Sequence, residues 1–331
     1  QRFAQSIFAS SRGGVSQASR TVRIISVLPN AVMSFQMAPT VQSRFFSVTE
    51  TVNQTSLLQK LDTVSSFEKA VELIDDYTKR SLDENLQVLT ACGHYSPGMI
   101  LAKKHPLFAQ VDAFIQYLDS ICVEQFSKEN VNPKTIVDGL WAISRLGYSP
   151  STSAPMNLVN LLLSKSMDSL SQLSTTELGL LMKSLGKMRI KLSSEEYSKC
   201  IHCLYLTRNE FSFMELIDVI WGITRMSHRT QTSSDVNQED ELFRITENII
   251  MLNPEAVNTL RASYLANLVY SFSYSHHPQS KEVLSQLTGV VCQKMPKYSP
   301  LELSVILRAY VELGVMNRDL DRGLVKYVQK R

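Results

Sequence analysis

The chain has 331 residues, a formal charge of +3, and few glycines (12) or prolines (11). Scarce breakers over that length argue against a strand-and-turn architecture and favour long helices. An apolar share of 44% supports a sizeable core, yet no apolar run reaches the roughly 18 residues that a membrane span needs.

The charge is unevenly placed. Residues 1–49 hold five arginines (Arg2, Arg12, Arg20, Arg23 and Arg44) and no acid, leaving 29 of the 34 basic residues against all 31 acidic ones from Glu50 onward. The body is therefore slightly acidic. Bulk charge gives no argument for nucleic acid, so any such argument rests on a local patch. The Arg- and Ser-rich, acid-free start has the composition of a mitochondrial transit peptide, a cation drawn toward a compartment that is negative inside. Arg44-Phe45-Phe46-Ser47 is similar to the Arg-x-aromatic-Ser site of the mitochondrial processing peptidase. The competing reading is a basic tail that binds RNA or acidic protein. Residues 50–80 follow as a capping region, with Phe67, Ala70, Val71, Ile74 and Tyr77 marking one helix.

From residue 81 the chain repeats itself. Six segments align on a small residue: Ala91, Ala142, Ser184, Gly222, Ser271 and Ala309. Ten positions earlier stand Ser81, Asn132, Ser174, Ser212, Arg261 and Ser299. Four of these open an S-x-x-E capping box, with Glu84, Glu177, Glu215 and Glu302. In such a box the hydroxyl takes a free N-terminal N–H and the carboxylate reaches back. Asn132-Pro133 is another good start, with proline in the first helical position, and Arg261 is the one poor cap. Apolar residues recur two positions before the small residue (Leu89, Leu140, Met182, Ile220, Val269, Leu307) and one after it (Cys92, Ile143, Leu185, Ile223, Phe272, Tyr310). These fall on one face of a 3.6-residue helix. The small residue sits at the edge of that stripe, where a bulky side chain would hold neighbouring helices apart.

Successive small residues are 51, 42, 38, 49 and 38 positions apart, enough for two helices and two turns, with loops such as Thr230–Asp240 in the longer gaps. Amphipathic second helices are expected at Val111–Phe126, Met156–Leu170, Glu195–Leu206, Glu241–Leu252, Val283–Met295 and Leu320–Val328. The predicted fold is all-α: an α-solenoid of about six helix-turn-helix repeats over 81–331, each hairpin buried only by its neighbours.

Residues that carry chemistry are sparse. Five scattered cysteines form no disulfide framework. Cys200-x-x-Cys203 lacks two further ligands for a zinc site and reads as small apolar side chains. His276-His277 reads as a solvated loop pair. Asp75-Asp76 and Glu239-Asp240-Glu241 suit helix starts or wet faces. No nucleotide, metalloprotease or serine-hydrolase motif occurs, and no nucleophile, base and orienter assemble. No enzyme activity, cofactor or metal is expected.

One feature points to binding. The positions one before and three after the small residue are i, i+4 neighbours on the face away from the apolar stripe. They read Thr90/His94, Trp141/Arg145, Lys183/Lys187, Trp221/Arg225, Tyr270/Tyr274 and Arg308/Glu312. Trp141, Arg145, Lys183, Lys187, Trp221, Arg225, Tyr270, Tyr274 and Arg308 are thus the candidate RNA-binding residues on a concave face. Rings stack on unpaired bases while cations hold phosphates, at about 1–3 kcal/mol per stacked base. The alternative is packing plus capping: Arg145, Lys187 and Arg225 lie in last turns, where cations suit the helix dipole anyway.

Leu140-Trp-Ala-Ile-Ser-Arg-Leu-Gly147, Ile220-Trp-Gly-Ile-Thr-Arg-Met226 and Leu268-Val-Tyr-Ser-Phe-Ser-Tyr274 resemble the first helix of organellar octotricopeptide and heptatricopeptide repeats, the helical part of FAST-kinase-like and RAP-domain proteins. The resemblance covers residues 81–331, without a recognisable RAP domain. It implies organellar RNA binding in transcript processing, stability or translation, or a place in the mitoribosome. The expectation is a non-catalytic, RNA-associated protein of the mitochondrial matrix. The alternative is a protein–protein scaffold, as an accessory subunit or assembly factor of a respiratory complex.

Overall fold

The structure, a computed structural model, describes residues 55–96, 104–148, 156–226, 233–275 and 277–329. The basic segment 1–49, with the processing-site resemblance at Arg44–Ser47, lies outside the described residues. Fifteen α-helices and no strand are present among those described, so the chain is all-α with the packing of a helical-repeat fold. No helix is long and apolar enough to cross a membrane among the described residues.

The helices are α1 (Thr55–Asp62), α2 (Phe67–Glu72), α3 (Leu82–Tyr95), α4 (Phe108–Lys128), α5 (Pro133–Leu146), α6 (Met156–Asp168), α7 (Thr175–Met188) and α8 (Ser194–Leu206). Then come α9 (Phe213–Met226), α10 (Ser233–Leu252), α11 (Pro254–Thr259), α12 (Ala262–Tyr274), α13 (Ser280–Lys294), α14 (Pro300–Glu312) and α15 (Arg318–Gln329). They fall into two compact units. One lies within Ser34–Glu210 and takes in the end of α9 from Arg225; the other lies within Phe211–Thr224 and Ser233–Arg331. In the first unit α3, α5 and α7 pack in order as one layer, and α4, α6 and α8 as a second. In the second unit α12 packs on α14, while α10, α13 and α15 form the other layer. Each unit is a group of stacked hairpins.

Local chemistry sets the helix starts as the sequence predicts. Ser81, Ser174 and Ser299 each make both bonds of a capping box. The Ser212 N–H donates to Glu215 while its Oγ accepts from the Glu215 N–H. Asn132 accepts from the Lys134 N–H ahead of Pro133, and Arg261 makes no side-chain cap. A fifth box, Ser193/Glu196, opens the second helix α8. Each cap satisfies a donor that would otherwise lack a partner at the helix start.

The apolar stripe is the core. Leu89, Leu140, Met182, Ile220 and Val269 are each at most 1% exposed. Close approach between first helices is real at α3 and α5. A Cβ placed on Gly93 would lie 2.8 Å from Ala142 Cα, and one on Gly139 would lie 3.0 Å from Leu86 Cδ2. The small residue is therefore a spacing device. Ala142→Leu is expected to destabilise the first unit by about 1–3 kcal/mol through overpacking, read as a lower urea midpoint. An unchanged midpoint would remove close approach as the reason for the small residue.

Three expectations need correction. The capping region holds two helices, α1 and α2, and then a 3-10 stretch Leu73–Lys79 kinked at Asp76, where one helix was expected. Buried Asn85 ties this stretch down, its Nδ2 donating to Tyr77 O at 3.0 Å. That explains a polar residue six positions before Ala91, where the other repeats carry Ile136, Leu178, Leu216, Leu265 and Leu303. The loop expected at Thr230–Asp240 is helical from Ser233, so α10 runs for 20 residues. Its apolar periodicity is weak at the start, but Asp235 and Val236 add no breaker. Finally, short α11 was missed, opened by Asn253 and Pro254.

Candidate nucleic-acid interface

The nine candidate residues divide between the units. Trp141, Arg145, Lys183 and Lys187 belong to the first, with Arg225 grouped there; Trp221, Tyr270, Tyr274 and Arg308 belong to the second.

The tryptophans do not form stacking platforms on an open face. Trp141 is 5% exposed and Trp221 is 2% exposed, so both indoles are packed inside. For Trp141 the reason is the neighbourhood of α5, which packs on the first helices α3 and α7 and on its own second helix α6. Only a narrow stripe stays open, and a large ring at its edge lies down between neighbours. The His94 ring sits tilted against Trp141, centroids 6.4 Å apart.

The cations of the first unit behave differently. Arg145 is buried, and Lys183 and Lys187 are half-buried. Burial pushes the Arg145 guanidinium below its usual range. Burial, then repulsion from Arg145 and Lys183, brings the Lys187 amine down to about 7. Burial and Arg145 likewise hold His94 below the ordinary histidine range. Arg225 Nε donates to Gly186 O in the last turn of α7 at 3.4 Å, so this cation does cap a helix end. The last turns of α3, α5, α7 and α9 thus present His94, Arg145, Lys187 and Arg225 at the same register position.

Sequence reasoning missed Asp138. It lies on α5, one turn before Trp141, and burial raises its carboxyl to about 7, against the pull of Lys134 and with help from Glu177. The signal was present: Asp138-x-x-Trp141-x-x-x-Arg145 recurs as Asp218-x-x-Trp221-x-x-x-Arg225. Asp218 is also buried, and it accepts a hydrogen bond from the Tyr264 hydroxyl at 3.4 Å. An acid with its folded pKa raised binds more protons in the native state, so its contribution is full below about pH 4 and is lost as pH rises toward 7. Asp138→Asn is therefore expected to stabilise the first unit above pH 7 and to change little near pH 4. Denaturant midpoints at the two pH values decide it, and equal shifts at both would contradict the assignment.

In the second unit the aromatic positions do meet. Tyr270 and Tyr274 lie 4.6 Å apart between ring centroids, and the Arg308 guanidinium sits 5.7 Å from the Tyr274 ring. Arg308 Nε also donates to Glu312 at 2.7 Å, which offsets its charge. Burial, with Glu312 nearby, raises the Tyr274 phenol to about 12.

Elsewhere the sequence reading of His277 is overturned. It is not a solvated loop residue: its side chain is 6% exposed, and Nε2 lies 2.9 Å from Glu247 Oε2. The ring stacks on Phe243 and meets Phe272 edge-on. This buried pair fastens the turn before α13 to α10, and a preceding histidine gives no sequence sign of it. Cys200 is buried against Met167 Sδ, its thiol pushed up to about 12 by burial, and Cys203 Sγ donates to Leu170 O. Among the described residues no group of three His, Cys, Asp or Glu side chains gathers to hold a metal. No protein-family model and no curated protein sequence matches the chain.

Proposed function

We propose that this chain is a non-catalytic, RNA-associated helical-repeat protein of the mitochondrial matrix, either a mitoribosomal protein or a factor in organellar RNA processing, stability or translation. The observation that carries this reading is the cationic row of the first unit. Arg145, Lys183 and Lys187 come from two adjacent first helices, and Arg145 and Lys183 both disfavour the proton on Lys187. A phosphate backbone supplies anions at regular intervals to a run of cations of this kind. The acid-free, Arg-rich residues 1–49 support mitochondrial delivery.

A protein scaffold within a respiratory complex is the second reading. Two observations favour it: both tryptophans are buried, and Arg308 is engaged by Glu312 in the second unit. Sedimentation of the endogenous protein from mitochondrial lysate separates the two readings. A large particle that RNase disperses, or that carries ribosomal RNA through the gradient, supports RNA association. A large complex free of RNA and indifferent to RNase supports the scaffold.

A further inference from the structure

The second unit holds a cavity of about 290 Å³, lined by Asn258, Gln293, Lys294 and Lys297. Asn258 comes from α11, and Gln293 and Lys294 end α13. Lys297 closes the 3-10 turn Met295–Lys297 that follows. The backbone on both sides is fixed by core neighbours. Val257 and Leu260 bracket Asn258, Met295 and Tyr298 bracket Lys297, and each of these four is at most 3% exposed. The walls are therefore set before any ligand arrives.

Lys294 ties the two walls together. Its amine donates to Asn258 O at 2.6 Å and to Leu260 O. An ammonium has three N–H donors, so one is left over. Burial, then the charge of Lys297, holds this amine below the ordinary lysine range, and no carboxylate acts on it. Among the described residues, the Lys297 amine and the side-chain amides of Asn258 and Gln293 have no hydrogen-bond or ion-pair partner. The acids of the same elements do not line the cavity. Glu255 precedes Asn258 by a turn, Glu282 sits in the first turn of α13, and Glu302 receives the Ser299 N–H at 2.7 Å in its capping box. Capping the end of α11 accounts for Lys294. It does not account for Lys297 or for the two amides.

We propose that this cavity binds a small phosphomonoester, with Lys294 and Lys297 holding the phosphate and the Asn258 and Gln293 amides donating to its oxygens. A phosphomonoester carries close to two negative charges at neutral pH and three acceptor oxygens. It thus answers two neighbouring ammoniums and two spare amide donors at once. A carboxylate or a phosphodiester brings one charge and leaves half of the lysine pair unmatched. The volume stands at the lower end for small-molecule pockets, which begin near about 300 Å³, and so suits a nucleotide-sized ligand rather than a large cofactor. The site shares no residue with the cationic row of the first unit, and the RNA reading does not depend on it.

The experiment uses the full chain and adenosine monophosphate as the probe, in a phosphorus-31 NMR titration at an ionic strength of about 0.15 M. Saturable binding is expected. Inorganic phosphate is expected to compete more weakly than the nucleotide, and acetate at the same concentration not to compete. Lys297→Gln is the deciding variant, because its side chain is exposed and Lys294→Gln would also uncap α11. It is expected to bind about 10-fold more weakly, the loss of one charge-assisted contact, with an unchanged thermal unfolding curve. Lys281→Gln, an exposed lysine at the other end of α13, is expected to bind as the wild type does. No saturable binding, an affinity that survives Lys297→Gln, an equal fall in Lys281→Gln, or competition by acetate would each overturn the inference. Inorganic phosphate binding at least as tightly as the nucleotide would assign the seat to the free ion and overturn the monoester.

Discussion

Trp141→Ala and Trp221→Ala are each expected to cost about 3–5 kcal/mol of stability, the range for emptying a buried indole site. At 5% and 2% exposure, both rings have traded nearly all their water for packing. The loss arises from the cavity and the dispersion contacts it removes. Stacked hairpins sum nearest-neighbour terms, so the damage should spread to adjacent repeats and broaden the transition. Chemical denaturation followed by circular dichroism reads both effects. A variant with unchanged stability and weakened RNA binding would return the tryptophans to the role of base-stacking platforms and refute their assignment to the core.

Neutralising the cationic row gives the second large effect. Lys183→Gln with Lys187→Gln is expected to leave the fold intact, since both side chains are half-buried and neither substitution empties a core position. It relieves repulsion with Arg145 and should slightly stabilise the first unit. RNA affinity is expected to fall about 10-fold or more near 100 mM salt. The slope of log affinity against log salt should become shallower by about 1.4, the value for two lost phosphate contacts on a single strand. Titration at three salt concentrations measures it. Unaltered affinity and slope in a folded double variant would move any RNA contact away from this row. The Tyr270–Tyr274–Arg308 group serves as the internal contrast: with Glu312 on Arg308, charge removal there should matter less.

The helices were legible because their signals are local. A serine hydroxyl and a glutamate three residues on are sufficient to place a helix start, and the boxes at Ser81, Ser174, Ser212 and Ser299 all formed. The apolar face was legible because burial against a helix's own core repeats every 3.6 residues. Where local signals were weak the reading slipped. The first turns of α10 carry polar residues without a breaker and read as loop. The region before residue 80 read as one helix because its apolar spacing runs on across the 3-10 kink at Asp76.

The candidate interface was only half legible, for a related reason. Sequence by itself determined that Trp141, Arg145, Lys187, Trp221 and Arg225 share one face at fixed register, since that follows from helical geometry alone. Whether that face meets solvent depends on the helices to either side, which periodicity along one helix does not report. Tertiary packing decided that the indoles are buried, that Arg145 acts on Lys187 across α5 and α7, and that His277 turns inward to Glu247. Spacing within a helix is set by bonds and backbone hydrogen bonds, whereas exposure and charge are set by what distant segments bring alongside.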